Sequence, residues 1–270
     1  MKITIITSTF NSGATVEDTF KSILSQTFKN IEYVVVDGGS RDNTVEIIKR
    51  YEPKFCGRMR WISERDNGVY DAMNKGICMA TGDVIGFLNS DDYYTSTDCL
   101  QTIVDTLEKE DVDATYGNVH YVNAGNPQKM VRFYSSKHFR PSLMRLGFMP
   151  AHPSFYCKRW VYEKYGIFDT EYRIASDFEL LLRFLFVNKV KAKFIAKDFV
   201  TMRTGGLSNS GLRSHQQIMK DHQKALKVNK VYSNFFILCL RYIYKTYEVV
   251  RARSSAVIRH FKSVVTKSKE

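Results

Sequence analysis

At 270 residues the chain can bury one sizeable α/β core and carry an appendage. A composition of 44% hydrophobic and 25% charged residues, with no low-complexity tract or repeat, excludes wholesale disorder. The formal charge of +12 calls for polyanionic partners, whether nucleic acid, anionic lipid or phosphorylated substrates, without choosing among them.

Cys56, Cys78, Cys99, Cys157 and Cys239 are widely spaced and form no CxxC pair, so neither a disulfide framework nor a zinc site is expected and the compartment reads as reducing. The N-terminus lacks an h-region and a small-residue cleavage site, and Lys2 to Ser8 reads as a first strand. A polar turn at Thr9 to Gly13 leads into a helix with apolar residues at Val16, Phe20, Ile23 and Leu24. Glu32 to Val36 is a near-continuous apolar strand that stops at Asp37-Gly38-Gly39-Ser40, before a helix through Thr44 to Tyr51. This βαβα order predicts a parallel sheet. Further along, strands are expected at Arg60 to Ser63 and Asp83 to Leu88, with a helix from Tyr70 to Met79 between them. Strands at Ala114 to Val122 and Met130 to Tyr134, a return to the sheet at His152 to Tyr156, and helices at Lys158 to Tyr165 and Ser176 to Val187 complete the expected catalytic region, residues 1–220. The remainder, 221–270, reads as a basic, aromatic-rich helical tail: Lys224 to Glu270 holds eleven Lys or Arg against two acids.

Ligands of open α/β sheets gather beyond the carboxyl ends of the strands, so the polar residues after Ser8, Val36 and Leu88 are expected to converge on one crevice. Asp91 and Asp92, adjacent at the end of a buried strand, offer the hard oxygen ligands that suit Mg2+ or Mn2+ bridging to phosphates. The alternative is a solvated turn or an N-cap for a helix near Thr97 to Leu107. Asp37, between an apolar run and two glycines, can accept hydrogen bonds from a base or ribose, or simply shape its turn. Thr9, Phe10 and Asn11 offer a hydroxyl, a ring and a carboxamide, or cap the first helix.

Four ordered segments, Thr7-Ser-Thr-Phe-Asn11, Val35-Val-Asp-Gly-Gly-Ser-Arg-Asp-Asn-Thr44, Asp66-Asn-Gly-Val-Tyr-Asp-Ala-Met-Asn-Lys-Gly76 and Ala80-Thr-Gly-Asp-Val-Ile-Gly-Phe-Leu-Asn-Ser-Asp-Asp92, resemble the successive motifs of family 2 glycosyltransferases over roughly the first 210 residues. The resemblance implies a GT-A fold: a Rossmann-like, mostly parallel central sheet flanked by helices and merged with an acceptor-binding half. It implies that Thr9, Asn11 and Asp37 hold the nucleotide, and that Asp91 and Asp92 serve the ribose and a diphosphate-bound cation. Asn89 stands where many relatives carry Asp. Arg65, Asp66, Asn67 and Lys75 fall where the family approaches the nucleotide and donor sugar, with a structural role as the alternative for Asn67 and Lys75. Ala175-Ser-Asp-Phe-Glu179 is similar to the family's acidic segment, making Asp177 the general base, or an N-cap, with Glu179 in reserve. His152 is a candidate for orienting acceptor or diphosphate, or a structural histidine. Many GT-A enzymes place a metal-binding His after the acidic segment; Met202 to Ser208 has none, leaving Arg203 and Ser208 as phosphate contacts.

The activity so implied is an inverting transfer of a sugar from a UDP-, GDP- or dTDP-linked donor to a glycan or lipid-linked hydroxyl. A sugar nucleotidyltransferase would need an Arg and Lys in its first loop, which Thr9 to Gly13 lacks, and a nucleic-acid-binding role is suggested by charge alone. In the tail, the apolar run Phe235 to Leu240 is far short of the roughly 20 residues that span a bilayer. A basic amphipathic helix lying on an anionic membrane, on its cytoplasmic face, is expected, the alternative being packing on the catalytic domain or pairing of two subunits in a homo-oligomer.

Overall fold

The computed structural model describes residues 1–205 and 212–241. Strand β1 (Ile3–Thr9), helix α1 (Val16–Leu24), β2 (Ile31–Asp37), α2 (Thr44–Tyr51), β3 (Met59–Ser63), α3 (Val69–Met79) and β4 (Val84–Phe87) follow the alternation expected. Their strands pair in parallel in the order β3-β2-β1-β4. Every residue of β2 is buried, because helices cover both faces of a parallel sheet. Alternate side chains feed two cores. Ile3, Ile5, Tyr33 and Val35 point to the side of α1 and α2, while Ile6, Val34 and Val36 meet Ala72 and Met73 of α3. Gly76 lets α3 approach closely, since a Cβ there would lie 2.4 Å from the Ile6 side chain.

The second half builds on the free edge of β4. Strand β5 (Tyr93–Tyr94), α4 (Cys99–Lys109), β6 (Ala114–Asn123), β7 (Asn126–Tyr134), β8 (Tyr156–Lys158), α5 (Arg159–Tyr165), α6 (Ser176–Leu181), β9 (Ala192–Arg203) and α7 (Leu212–Val228) extend the sheet in the order β4-β8-β6-β9-β5, with β7 on β6. Here β8 runs antiparallel to both β4 and β6, and β9 parallel to β6. The α/β class and flanked central sheet are those expected; the parallel pattern belongs to the first half, and the second is mixed.

Several local expectations change. Residues 152–154 form a single 3-10 turn before β8, since Pro153 has no amide hydrogen to give a sheet ladder. The apolar stretch 176–187 is not one α-helix: from Leu182 to Val187 it widens into a π-helix. Asn188 closes it, giving both its backbone N–H and its side-chain amide to the Arg183 carbonyl at 3.0 and 2.8 Å. The 12-residue strand β9 had no counterpart in the sequence reading. A boundary at 220 cuts through α7, which is part of the catalytic unit: Asp221, His222, Ala225 and Leu226 are buried, and His222 stacks on Phe178 at 3.8 Å. A further helical stretch runs from 235 to 241, with Leu238 and Arg241 buried against the same core. The rest of the expected tail, 242–270, and Ser208 lie outside the described residues.

Candidate active site

The loops after β1, β2 and β4 meet at the carboxyl edge of the sheet. Asp37 is their organising centre. Its Oδ1 accepts from Thr9 Oγ1 at 2.8 Å and from Ser40 Oγ; its Oδ2 accepts from Ser63 Oγ at 2.7 Å and from the backbone N–H groups of Ser40 and Gly39 at 2.9 and 3.2 Å. Burial alone would raise its pKa, but the hydrogen bonds from Ser40, Ser63 and Thr9 prevail and hold it below the usual carboxylate value. Asp37 is fully buried, and both its oxygens accept hydrogen bonds from the chain. Gly39 supplies the positive φ of +79° that the turn needs.

Asn11, also at positive φ, ties the first loop to the second: its N–H donates to Ser40 Oγ at 2.8 Å and its Oδ1 accepts from Arg41 N at 2.9 Å. Ser12 touches Ser90 of the β4 loop, hydroxyl to hydroxyl, at 2.8 Å. Helix α1 starts after Thr15, so Thr9 and Asn11 are loop clasps and not helix caps. Phe10 stands free, 61% exposed.

After β3, Asp66 packs so closely on Gly38 that a Cβ there would lie 2.4 Å from its Oδ2, and its Oδ1 accepts from Gly68 N at 2.9 Å. Arg65 and Asn67 are exposed. Lys75 is committed elsewhere: it pairs with Glu64 at 2.7 Å, lies 3.8 Å from Asp71 and donates to the Arg65 carbonyl at 3.2 Å. These contacts hold it against the loop after β3.

Asp92 is buried to 1% exposure, with Asp91 beside it half-buried. The Asp92 carboxylate accepts from Asn89 Nδ2 at 3.1 Å and Arg203 N at 3.3 Å. Burial, and then the Asp91 charge, push its pKa well up; burial pushes Asp91 up as well. The neighbouring helix α4 is capped at Asp98, so the capping alternative for Asp91 and Asp92 falls away. Asn89 in place of a third carboxylate gives the pair a donor. Two adjacent acids, one buried and one half-buried, fit a hard cation that keeps water or phosphate oxygens as its other ligands. Among the described residues no group of three or more His, Cys, Asp and Glu side chains converges. Arg203 spans this corner, giving Nη1 to the Asp91 carbonyl at 2.8 Å and Nη2 to Asp18 at 2.5 Å.

Asp177 lies in the first turn of α6, whose cap position is Ala175, so it is not the N-cap. Burial raises its pKa from 3.8 to about 6, with the Asp221 charge adding to the rise. Its Oδ1 accepts from Phe178 N at 2.8 Å and lies 3.5 Å from the Tyr70 hydroxyl, which also donates to the Ile174 carbonyl. Asp221 of α7 caps this helix from outside, taking the N–H groups of Ile174 and Ala175 at 3.0 and 3.1 Å. Glu179 is buried and engaged: it chelates Arg183 at 2.8 and 3.0 Å and takes Asn229 Nδ2 at 3.1 Å. His152 is enclosed by Phe87 and Phe168, and burial lowers its pKa to about 4, leaving a neutral ring. Among the described residues its Nε2 has no hydrogen-bond partner.

The sequence reading missed Tyr70, Asp221 and Tyr121. The Tyr121 phenol of β6 is raised by burial, and the charges of both Asp92 and Asp177 also act on it.

The model of the family described as "Glycosyl transferase family 2" matches residues 4–170. The chain belongs to glycosyltransferase family 2. It is therefore an enzyme of the glycosyltransferase class. An uncharacterized glycosyltransferase of Mycobacterium tuberculosis is 32% identical over 213 residues, 75% of this chain and 76% of that protein. A glycosyltransferase of Mycobacterium bovis BCG, named for PGL/p-HBAD biosynthesis, is 32% identical over 186 residues, 66% and 68% of the two chains. Among solved structures, residues 1–349 of Staphylococcus aureus TarS with UDP-GlcNAc superpose with a TM-score of 0.65 at 19% identity, covering 82% of this chain and 66% of that one. The longer TarS chain is covered only to 40%. The mannosyltransferase PcManGT of Pyrobaculum calidifontis, with GDP-Man and Mn2+, gives 0.59 at 16% identity over 92% and 80% of the chains. These structures share the GT-A fold. Within this family 2 enzyme the matched region ends at residue 170, before Asp177.

Proposed function

We propose that this glycosyltransferase moves a sugar from a UDP-, GDP- or dTDP-linked donor to a hydroxyl of a glycan or lipid-linked acceptor by inverting single displacement. The observation that carries the reading is a half-buried acid with its pKa raised to about 6, Asp177, whose charge acts on the same Tyr121 phenol as that of Asp92. A base that is ionised at neutral pH yet holds a proton well is suited to general-base work. The acceptor oxygen gives its proton to Asp177 and forms a bond to the anomeric carbon as that carbon's bond to the diphosphate oxygen breaks. The leaving group takes the electron pair, and an α-linked donor yields a β-linked product. Mg2+ or Mn2+ held by Asp91 and Asp92 would neutralise charge on the diphosphate. In this reading Thr9, Asn11 and the Asp37 turn shape the nucleotide's seat, while Arg65, Asp66 and Asn67 border it. Arg203 keeps Asp91 and Asp92 in place. The two superposed structures that carry a nucleotide sugar support the donor class.

We also infer attachment to an anionic membrane surface, in keeping with the cytoplasmic-face setting and lipid-linked acceptors. Tyr232, Phe235 and Phe236 are 73%, 51% and 78% exposed, and the first two line a groove of about 620 Å3 with Lys227 and Lys230. Among the described residues no helix is long and apolar enough to cross a membrane. Such a basic, aromatic surface fits binding on an interface. The test of the catalytic reading is Asp177→Asn, which should retain donor binding and lose transfer; transfer at the wild-type rate would move the base elsewhere.

A further inference from the structure

The hairpin of β6 and β7 carries a cation that the catalytic reading leaves unused. Arg132 sits opposite Tyr121 in the β6–β7 register, and Tyr134, two residues along the same strand, shares its face. Its guanidinium lies 5.8 Å from the Tyr121 ring centroid and 5.4 Å from that of Tyr134. The Tyr134 hydroxyl is anchored to the Met149 carbonyl at 2.7 Å, which fixes that ring. Arg132 is exposed and, among the described residues, has no ion pair; its interactions are with the two rings. Two other arginines of this half of the chain are spent: Arg203 on Asp18 and the Asp91 carbonyl, Arg183 on Glu179. A guanidinium steered by two aromatic faces keeps its N–H edge free for a bidentate anion.

We propose that Arg132, held between Tyr121 and Tyr134, is a binding site for a phosphate or diphosphate group at the mouth of the transfer crevice. Tyr121 provides the link to the chemistry. The strand β9 lies on its other side, with Met202 opposite Tyr121 and the next residue, Arg203, bonded through its backbone to Asp92. The positive charge of Arg132 and the negative charges of Asp92 and Asp177 all act on the Tyr121 phenol. An anion at Arg132 therefore sits within reach of the reacting groups, as either the donor's diphosphate or a phosphate borne by the acceptor. The inference rests on the transfer crevice described above.

The test is titration of the full-length protein with inorganic diphosphate, without divalent metal, comparing wild type with Arg132→Gln and Arg132→Lys. Loss of a charge-assisted bidentate contact should raise the dissociation constant about tenfold in the Gln variant, with the Lys variant within about threefold of wild type. The melting temperature should not change, since the guanidinium is exposed. Titrations with UDP, GDP and dTDP in Mn2+, and with decyl diphosphate, identify the source. A parallel loss for the nucleotide that binds wild type makes the anion the donor's; unchanged nucleotide affinity with weaker decyl diphosphate makes it the acceptor's. Equal diphosphate constants in wild type and Arg132→Gln, or no saturable binding by wild type, overturn the site. Neither result bears on the base, because Asp177→Asn is read by turnover and not by anion affinity.

Discussion

Replacing Asp177 with Asn should produce an enzyme that is more stable and nearly inactive. Burial raises the carboxyl from 3.8 to about 6, about two pH units at roughly 1.4 kcal/mol each, so ionised Asp177 costs the fold up to about 3 kcal/mol at neutral pH. The sign follows from proton binding. Below pH 3.8 the group is protonated in both folded and unfolded chains; between that value and about 6 the unfolded chain releases a proton that the folded one keeps, and wild-type stability falls as pH rises. An amide accepts the same bond from Phe178 N without charging, so Asp177→Asn should melt about 5–10 °C above wild type at pH 7 and near it at pH 3.5. Transfer should fall about 10²–10⁴-fold because the amide takes no proton. In wild type, transfer should rise with pH through about 6 and level off above it. Calorimetry at the two pH values with a transfer assay checks both halves. An Asn variant within tenfold of wild-type turnover, or one with no pH-dependent gain in melting temperature, would refute the reasoning.

Asp92→Asn should reduce nucleotide affinity in Mn2+ to the level found in chelator, and a variant that still responds to Mn2+ by titration calorimetry would remove Asp92 from the cation site. Asp37→Asn breaks a set of five hydrogen bonds to a buried carboxylate and should cost about 2–4 kcal/mol in urea unfolding at pH 7, with weaker nucleotide binding as a consequence of the disturbed loops. Because the folded pKa of Asp37 is lowered, its stabilisation is present above the ordinary carboxylate value and lost as pH falls through the folded one, so the variant should lack part of the wild-type acid lability. Phe235→Asp combined with Phe236→Asp should release the protein from anionic liposomes in sedimentation while leaving its melting temperature unchanged; retention would place membrane contact elsewhere or nowhere.

The first half of the fold was legible because its strands are buried on both faces and its turns carry Gly and Asp. Val34-Val35-Val36 can hardly be anything but a central strand, and the glycines after Asp37 mark where it ends. The strand β9 was not legible for the opposite reason. Most of its first seven residues are only half-buried and polar residues interrupt its alternation, so Ala192 to Asp198 offers no clear period, and its strand character comes from pairing with β6. The π-helical turn is equally tertiary in origin. Arg183 gives its guanidinium to Glu179 and to the carbonyls of Tyr165 and Ile167, none of which a helical periodicity reveals.

The site shows the same division at the level of single residues. Motif position led to Asp92 and Asp177, and their raised pKa values follow from burial that a motif does not describe. Lys75 and Glu179 carry the right charges in the right segments, but a motif does not show the partners they meet four to 50 residues away: Asp71 and Glu64 for the lysine, Arg183 and Asn229 for the glutamate. Asp37 makes the point most sharply, since the same short side chain and flanking glycines that suit a ligand contact also suit a carboxylate that gathers three hydroxyls and two amides of its own protein. Asp221 had no motif at all. It sits on a helix taken for the start of a tail, and its two backbone bonds hold the turn that presents Asp177 while its charge helps to raise that acid's pKa. The surroundings of this proposed base are set by a second helix more than 40 residues further along the chain, so a candidate can be named from the sequence but its proton affinity cannot.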